Sequence, residues 1–251
     1  MNENGIEARH LDFGGRRVLV TGAAGGLGSR MARAFHAHGA EVVLADLDRE
    51  RLAPLAAEIG GAERHAFDQA DAASVEALAR AADPVDVLLN NAGILHVGPF
   101  LEMDAEAIER LIATNLTGPV LLARAVARGM VGRGSGVIVN TASQIAFTGG
   151  PERAIYGTAK AGLVQFTRAA AAELGPHGVR VAALAPGRTP TPLTEAALAD
   201  PDYLAESLAR IPAGRLGDAG EMARLALFLA SPLADYVVGE TLIADGGYIL
   251  A

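Results

Sequence analysis

Tyr156 and Lys160 stand four residues apart in Tyr156-Gly157-Thr158-Ala159-Lys160, and on a helix that spacing puts a phenol and an ammonium on one face. An unperturbed phenol titrates near ~10, and a neighbouring cation favours the phenolate, which brings the group toward proton transfer at neutral pH. The pair is therefore a candidate acid/base. Taken alone, the same spacing also describes a solvated helix face.

A second candidate site lies near the N-terminus, in Thr21-Gly22-Ala23-Ala24-Gly25-Gly26-Leu27-Gly28. The run follows the apolar Val18-Leu19-Val20 and precedes a helical pattern, the strand-to-helix context in which backbone N–H groups cradle a pyrophosphate. An isolated glycine-rich turn is equally well only a tight turn. Asp46, about twenty residues further on at the end of the next apolar run, adds an acceptor for a ribose 2′-OH. Its charge would repel a 2′-phosphate, so NAD is expected over NADP; Arg49 and Arg51, close by in sequence, act in the other direction. The alternative role for Asp46, capping the following helix, is open to Asp48 as well.

The elements that must position these groups follow from the patterning. Strands are expected at 18–20, 41–45, 64–67, 85–89, 137–140, 179–184 and 241–244, with helices between most of them, including 27–38 and 48–59. Short, continuously apolar strands alternating with helices describe a parallel sheet covered on both faces. The fold class expected is α/β, a single doubly wound Rossmann-type domain over 15–251 with a mostly or wholly parallel sheet, preceded by a flexible segment, 1–14. The proline-rich stretch at about 187–212 follows a strand and is expected to be a substrate lid.

Composition removes several alternatives. The chain has 251 residues, about half of them hydrophobic, enough for one large core. A net charge of -8 with no dense basic patch argues against nucleic acid. There is no cysteine, so disulfide, thiolate and cysteine–metal chemistry are excluded. No metal is expected: His36 and His38, two apart on a helix, point away from each other. The polar stretch 1–13 does not read as a signal peptide, and Arg124 and Arg128 interrupt the apolar run 120–131, so no membrane partner and a cytoplasmic location are expected.

Taken together, the glycine loop, Asn90-Asn91-Ala92-Gly93, Asn115, Ser143, the Tyr156/Lys160 pair and Pro186-Gly187 occur in an order and at spacings that resemble the short-chain dehydrogenase/reductase family over almost the whole chain. The resemblance implies hydride exchange between a nicotinamide and an alcohol or ketone. Tyr156 would exchange the proton and Ser143 would orient the substrate oxygen. Lys160 would hold the nicotinamide ribose and lower the tyrosine pKa, and Asn115 would hold a water leading to solvent. It also implies cofactor contacts from Gly22, Gly26, Leu27, Gly28, Asp46, Asp68, Asn90, Ala92, Gly93, Tyr156, Lys160, Pro186, Gly187, Thr189 and Thr191. Thr189 departs from the branched apolar residue common at its place, and Pro190 removes a donor there. Read singly, Ser143 closes a strand end, Asn115 satisfies backbone, Asn90 to Gly93 form a turn, and Asp68 is a cap.

A sugar, polyol or other small polar alcohol or ketone is the expected substrate, with Ser143, Ile145, His96, Glu152 and Leu193 as contacts and Gln144 and Arg153 as further polar candidates. A 3-oxoacyl thioester reductase using NADPH and a non-catalytic dinucleotide sensor are the alternatives. By the same resemblance a homotetramer, or a homodimer, is expected through helices at about 104–128 and 152–174.

Overall fold

Over the described residues, 8–251, the computed structural model has one seven-stranded sheet, parallel throughout: β1 (Arg17–Thr21), β2 (Glu41–Asp46), β3 (Glu63–Ala66), β4 (Val87–Asn90), β5 (Gly136–Thr141), β6 (Val179–Pro186) and β7 (Thr241–Ala244), in the order β3-β2-β1-β4-β5-β6-β7. Side chains alternate across a strand, so a sheet packed on both faces needs apolar residues at consecutive positions. Val18, Val20, Val42 and Leu44 enter one layer with Met31 and Phe35 of α1 (Gly26–Ala37); Leu19, Val43, Leu88 and Ile138 enter the other. The second layer is closed by Leu78 of α3 (Ala72–Ala82) and by Leu122 and Met130 of α5 (Gly118–Arg133). Helix α9 (Ala219–Ala230) completes the first layer with Met222 and Leu227.

Every expected strand is present within a few residues. The helix expected over 48–59 is interrupted: a 3-10 turn, Glu50–Leu52, precedes α2 (Ala53–Glu58). Pro54 is the reason, since it lacks an N–H and its ring is tolerated only in a first helical turn. The helix expected over about 104–128 is α4 (Ala105–Ile112) joined to α5 by a π-helical turn, Ala113–Thr117, and α6 (Ala154–Leu174) is continuous. Of the segment read as flexible, residues 1–7 lie outside the described residues. Ala8–Leu11 form a 3-10 turn, and Phe13 is buried with its ring edge on Phe35, centroids 4.8 Å apart. The 187–212 stretch folds as α7 (Glu195–Leu198) and α8 (Pro201–Ala209).

The chain reverses its direction of winding between β1 and β4, the place where an open parallel sheet leaves a crevice at its C-terminal edge. Beneath that edge a buried polar ladder crosses three elements. Asn90 Nδ2 donates to Asn140 Oδ1 (3.1 Å), Asn140 Nδ2 to Thr167 Oγ1 (2.9 Å), and Thr167 Oγ1 to the Leu163 carbonyl (2.9 Å).

Candidate active site

The crevice is a cleft of ≈ 950 Å³ lined by the glycine loop, the ends of the central strands and the 187–212 segment. At its floor α1 begins without a side-chain cap and without an acidic residue in its first turn, so its leading N–H groups have no competing carboxylate. That is the arrangement an anionic pyrophosphate fits. Gly22, Gly26, Leu27 and Gly28 all line this end, with Asp46 and Asp68 beside them. The residues present therefore fit a dinucleotide.

Asp46 ends β2 half-buried, and its carboxylate accepts from Ala24 N (3.0 Å) and Leu47 N (2.9 Å). These bonds fix its direction and leave each oxygen with a further lone pair for a hydroxyl. Arg51 lines the cleft, whereas Arg49 turns away, its Nε donating to the Arg64 carbonyl (3.2 Å). Asp68 Oδ1 accepts from Ala70 N (2.9 Å).

In Asn90 to Gly93, the expectation that Asn90 meets the cofactor is corrected. Asn90 is buried, does not line the cleft, and spends its amide on the Pro119 carbonyl (2.8 Å) and Asn140. Asn91 lines the cleft instead, donating to the Thr21 carbonyl (3.0 Å), while Thr21 Oγ1 accepts from the Asn91 and Ala92 amides (3.0 Å each). Ala92 and Gly93 also line the cleft. At Gly93 an added Cβ would lie 2.7 Å from Asn115 Oδ1, so only glycine permits the approach.

Asn115 sits in the π-helical turn, fully buried. It clasps the loop by accepting from Ile94 N (3.2 Å) and donating to the Ile94 carbonyl (2.9 Å) and the Leu111 carbonyl (3.1 Å). Its side chain is thus a strut for residues 93–94. Ser143 follows β5, and Tyr156 and Lys160 rise from the first turns of α6; all three line the cleft together with Asn115.

Opposing influences act on the Tyr156 phenol. Burial pushes the phenol above its ordinary range, and the groups that pull it back are a hydrogen bond with Ser143 and the charge of Arg153. Lys160 Nζ donates to the Thr141 carbonyl (2.8 Å) and lies 5.8 Å from the centre of the tyrosine ring. Lys160 is itself brought down to about 8 by burial. A lysine whose folded pKa is depressed binds fewer protons folded than unfolded between about 8 and 10.5, so its contribution to stability rises with pH across that window. The stability difference between the parent and a Lys160→Met protein, from urea titrations, should therefore shift in the parent's favour by ~2–3 kcal/mol between pH 7 and pH 10. A difference independent of pH would show that the ammonium is not desolvated.

Pro186, Gly187, Thr189 and Thr191 line the cleft. Thr194 Oγ1 donates to the Thr189 carbonyl (2.7 Å) and accepts from Thr191 N (3.0 Å), so a threonine network takes up the backbone groups around Pro190. Among the expected substrate contacts, Ile145, Glu152 and Leu193 line the cleft; Glu152 adopts φ 61°, a left-handed conformation for a non-glycine residue, and its carbonyl accepts from Gly98 N (3.1 Å). His96 is corrected: it is exposed, outside the cleft lining, with its ring against Gly98. Sequence reasoning missed Gln69, Arg188 and Tyr203. Gln69 Nε2 braces the site by donating to the carbonyls of Ala92 (2.9 Å) and Thr114 (2.6 Å), a long-range role with no local signal.

Comparison with known proteins agrees with this geometry. A family model described as enoyl-(acyl carrier protein) reductase matches residues 22–249. L-xylulose reductase from Bos taurus is 38% identical over 240 residues, covering 95% of this chain and 98% of its own. Galactitol 2-dehydrogenase (L-tagatose-forming) from Cereibacter sphaeroides is 41% identical, covering 93% and 95%. A solved Beutenbergia cavernae structure, assigned as an NAD(P) dependent gluconate 5-dehydrogenase and holding NADP at low occupancy, superposes with a TM-score of 0.91 at 38% identity, covering 96% and 99%. The chain belongs to the short-chain dehydrogenase/reductase family and is an NAD(P)-dependent oxidoreductase.

Proposed function

We propose that this enzyme moves hydride between NAD(H) and a secondary alcohol or ketone of a sugar, polyol or related small polar molecule. The observation that carries the reading is the convergence of Ser143, Tyr156 and Lys160 in the same cleft that the glycine loop and Asp46 line. Relatives that act on a ketose and on galactitol support the substrate class.

In reduction the Tyr156 hydroxyl gives its proton to the carbonyl oxygen; in oxidation the same oxygen removes it. Ser143, hydrogen-bonded to Tyr156, orients the substrate oxygen. A bound nicotinamide would supply or accept the hydride. Lys160 is fixed to the Thr141 carbonyl with its ammonium 5.8 Å from the centre of the tyrosine ring, and the Asn115 clasp holds the loop that walls this part of the cleft. A panel of polyols, ketoses and sugar acids with each cofactor, followed at the reduced-nicotinamide absorbance band, tests the reading. Turnover of none of them, or only of acyl thioesters, would overturn it.

Preference for NAD over NADP rests on Asp46. A carboxylate about 4 Å from a 2′-phosphate is disfavoured by about 1 kcal/mol in water and about 4 at an effective dielectric of 20. The parent is expected to bind NADH more tightly than NADPH, and Asp46→Ala to shift that ratio toward NADPH by at least about fivefold. A parent preference for NADPH would reverse the assignment.

Assembly as a homotetramer in the cytoplasm completes the proposal. Among the described residues no helix is long and apolar enough to cross a membrane, and Leu101, 93% exposed just before α4, is an apolar group in want of cover. Sedimentation of the purified protein decides the oligomeric state.

A further inference from the structure

Beyond the reacting centre, one wall of the cleft carries a concentration of positive charge that neither proton nor hydride transfer uses. Arg188 follows Pro186-Gly187, Arg153 stands three residues before Tyr156, and Arg210 closes α8; all three line the cleft. Arg188 and Arg153 donate to the same acceptor, the Tyr203 hydroxyl, the latter at 3.0 Å. Arg188 also lies over the rings of Tyr203 (4.9 Å) and Tyr248 (5.4 Å), and Arg210 over Tyr248 (4.5 Å).

Among the described residues no carboxylate stands within ion-pair distance of any of the three guanidinium groups, although Glu152, Asp200 and Glu206 line the same cleft. Asp200 is occupied, its Oδ1 accepting from Asp202 N and Tyr203 N at the start of α8. Arg188 Nε is shielded from solvent and has no acceptor. Two cations drawn onto one phenol oxygen, with a donor left over and no counter-charge, make a locus that an anion completes. The locus borders the reacting centre, because Arg153 precedes the helix that carries Tyr156 and both line the same cleft.

We propose that the substrate carries a carboxylate at its non-reacting end, held by Arg188 and Arg153 with Arg210 at the mouth, so that the enzyme acts on a sugar acid rather than a neutral polyol. The proposal rests on the reading of the cleft as the site of a polyhydroxylated substrate. It competes with a purely structural account, in which the arginines only stack on Tyr203 and Tyr248 to fasten α8 and the C-terminal turn. Stacking occupies the guanidinium faces and is indifferent to ligand charge; recognition uses the N–H edges and is not.

Calorimetric titration of aldonates, and of the alditols with matching configuration, into the protein loaded with NADH measures binding without turnover. At least one aldonate should bind about tenfold or more tightly than its alditol, with an affinity that falls as salt is raised. Arg188→Gln should bring that ratio to within about threefold of unity, and Arg188→Lys, which keeps the charge but not the fork, should restore only part of it. If every aldonate binds no better than its alditol, or the ratio survives Arg188→Gln, the proposal is overturned. Turnover of neutral polyols in the absorbance panel would leave the dehydrogenase reading standing in that event, so the two failures are distinguishable.

Discussion

Tyr156→Phe should turn over substrate about 10³-fold more slowly than the parent while still binding dinucleotide, because a positioned general acid/base contributes roughly 10²–10⁴. The substitution removes one oxygen, and with it both the transferable proton and the Ser143 hydrogen bond that helps hold the phenol down. The ring remains, still facing the Lys160 ammonium, so the wall of the cleft keeps its shape. A loss of ~10³ corresponds to ~4 kcal/mol in the activation barrier. Stopped-flow or steady-state turnover at the reduced-nicotinamide band reads the chemical loss, and titration of NADH reads retained binding. Turnover within tenfold of the parent would mean that another group transfers the proton.

The second large effect is structural in origin. At Gly28 an added Cβ would lie 2.2 Å from the Gly22 carbonyl oxygen and 2.8 Å from its carbon. Both are backbone atoms of the loop beneath the cofactor end, and neither has a rotamer through which to retreat. Gly28→Ala must therefore lift α1 from the loop. Forced overpacking of this kind costs typically ~1–3 kcal/mol, and in a chain of this length that lowers Tm by about 2–10 °C. Because the displaced atoms are those that face the pyrophosphate, NADH affinity should fall by more than about tenfold as well. Gly132→Ala, with no atom within 4 Å of the added carbon and a helical setting that favours alanine by up to ~1 kcal/mol, is the control. Equal stability of the parent and Gly28→Ala would show that the loop yields more readily than its packing implies.

What the sequence discloses and what it conceals divide along a physical line. Apolar runs such as Val18 to Val20 and Val137 to Val139 are dictated by local pattern, because a strand buried on two faces has no polar alternation to confuse it. Ser143, Tyr156 and Lys160 are legible as a set because chemistry fixes their types and the fold fixes their order. Local pattern also says where a helix should be, and fails at Glu50 to Glu58 because Pro54 interrupts an otherwise helical composition.

The larger misreadings concern direction and environment. Asn90 and Asn91 are adjacent and identical in type, yet pleating sends one amide into the protein and the other to the cleft. Which is which depends on the strand's end, a position uncertain by a residue or two from sequence. The Tyr156 pKa is governed by burial, and burial is a sum over distant parts of the chain that no four-residue spacing contains. His96 failed for a similar reason, since proximity to a motif along the chain does not fix the way a loop side chain faces. Arg153, Arg188 and Tyr203 are separated by up to fifty residues, and only the folded segment after Pro186 brings them to one oxygen.

The ladder from Asn90 through Asn140 to Thr167 has one more consequence. Thr167 lies eleven residues beyond Tyr156 on α6, which at about 100° per residue brings it back to within about 20° of the same helical stripe. The bond between Asn140 and Thr167 thus acts as an index mark between sheet and helix. A slip of α6 by a single residue would raise or lower the phenol by about 1.5 Å and swing it through about 100°, out of reach of Ser143. Such a slip would also strand an amide and a hydroxyl in the dry interior without partners, a penalty of ~1–3 kcal/mol for each. Buried polar groups far below the reacting atoms therefore act as the vernier by which the acid/base is aimed.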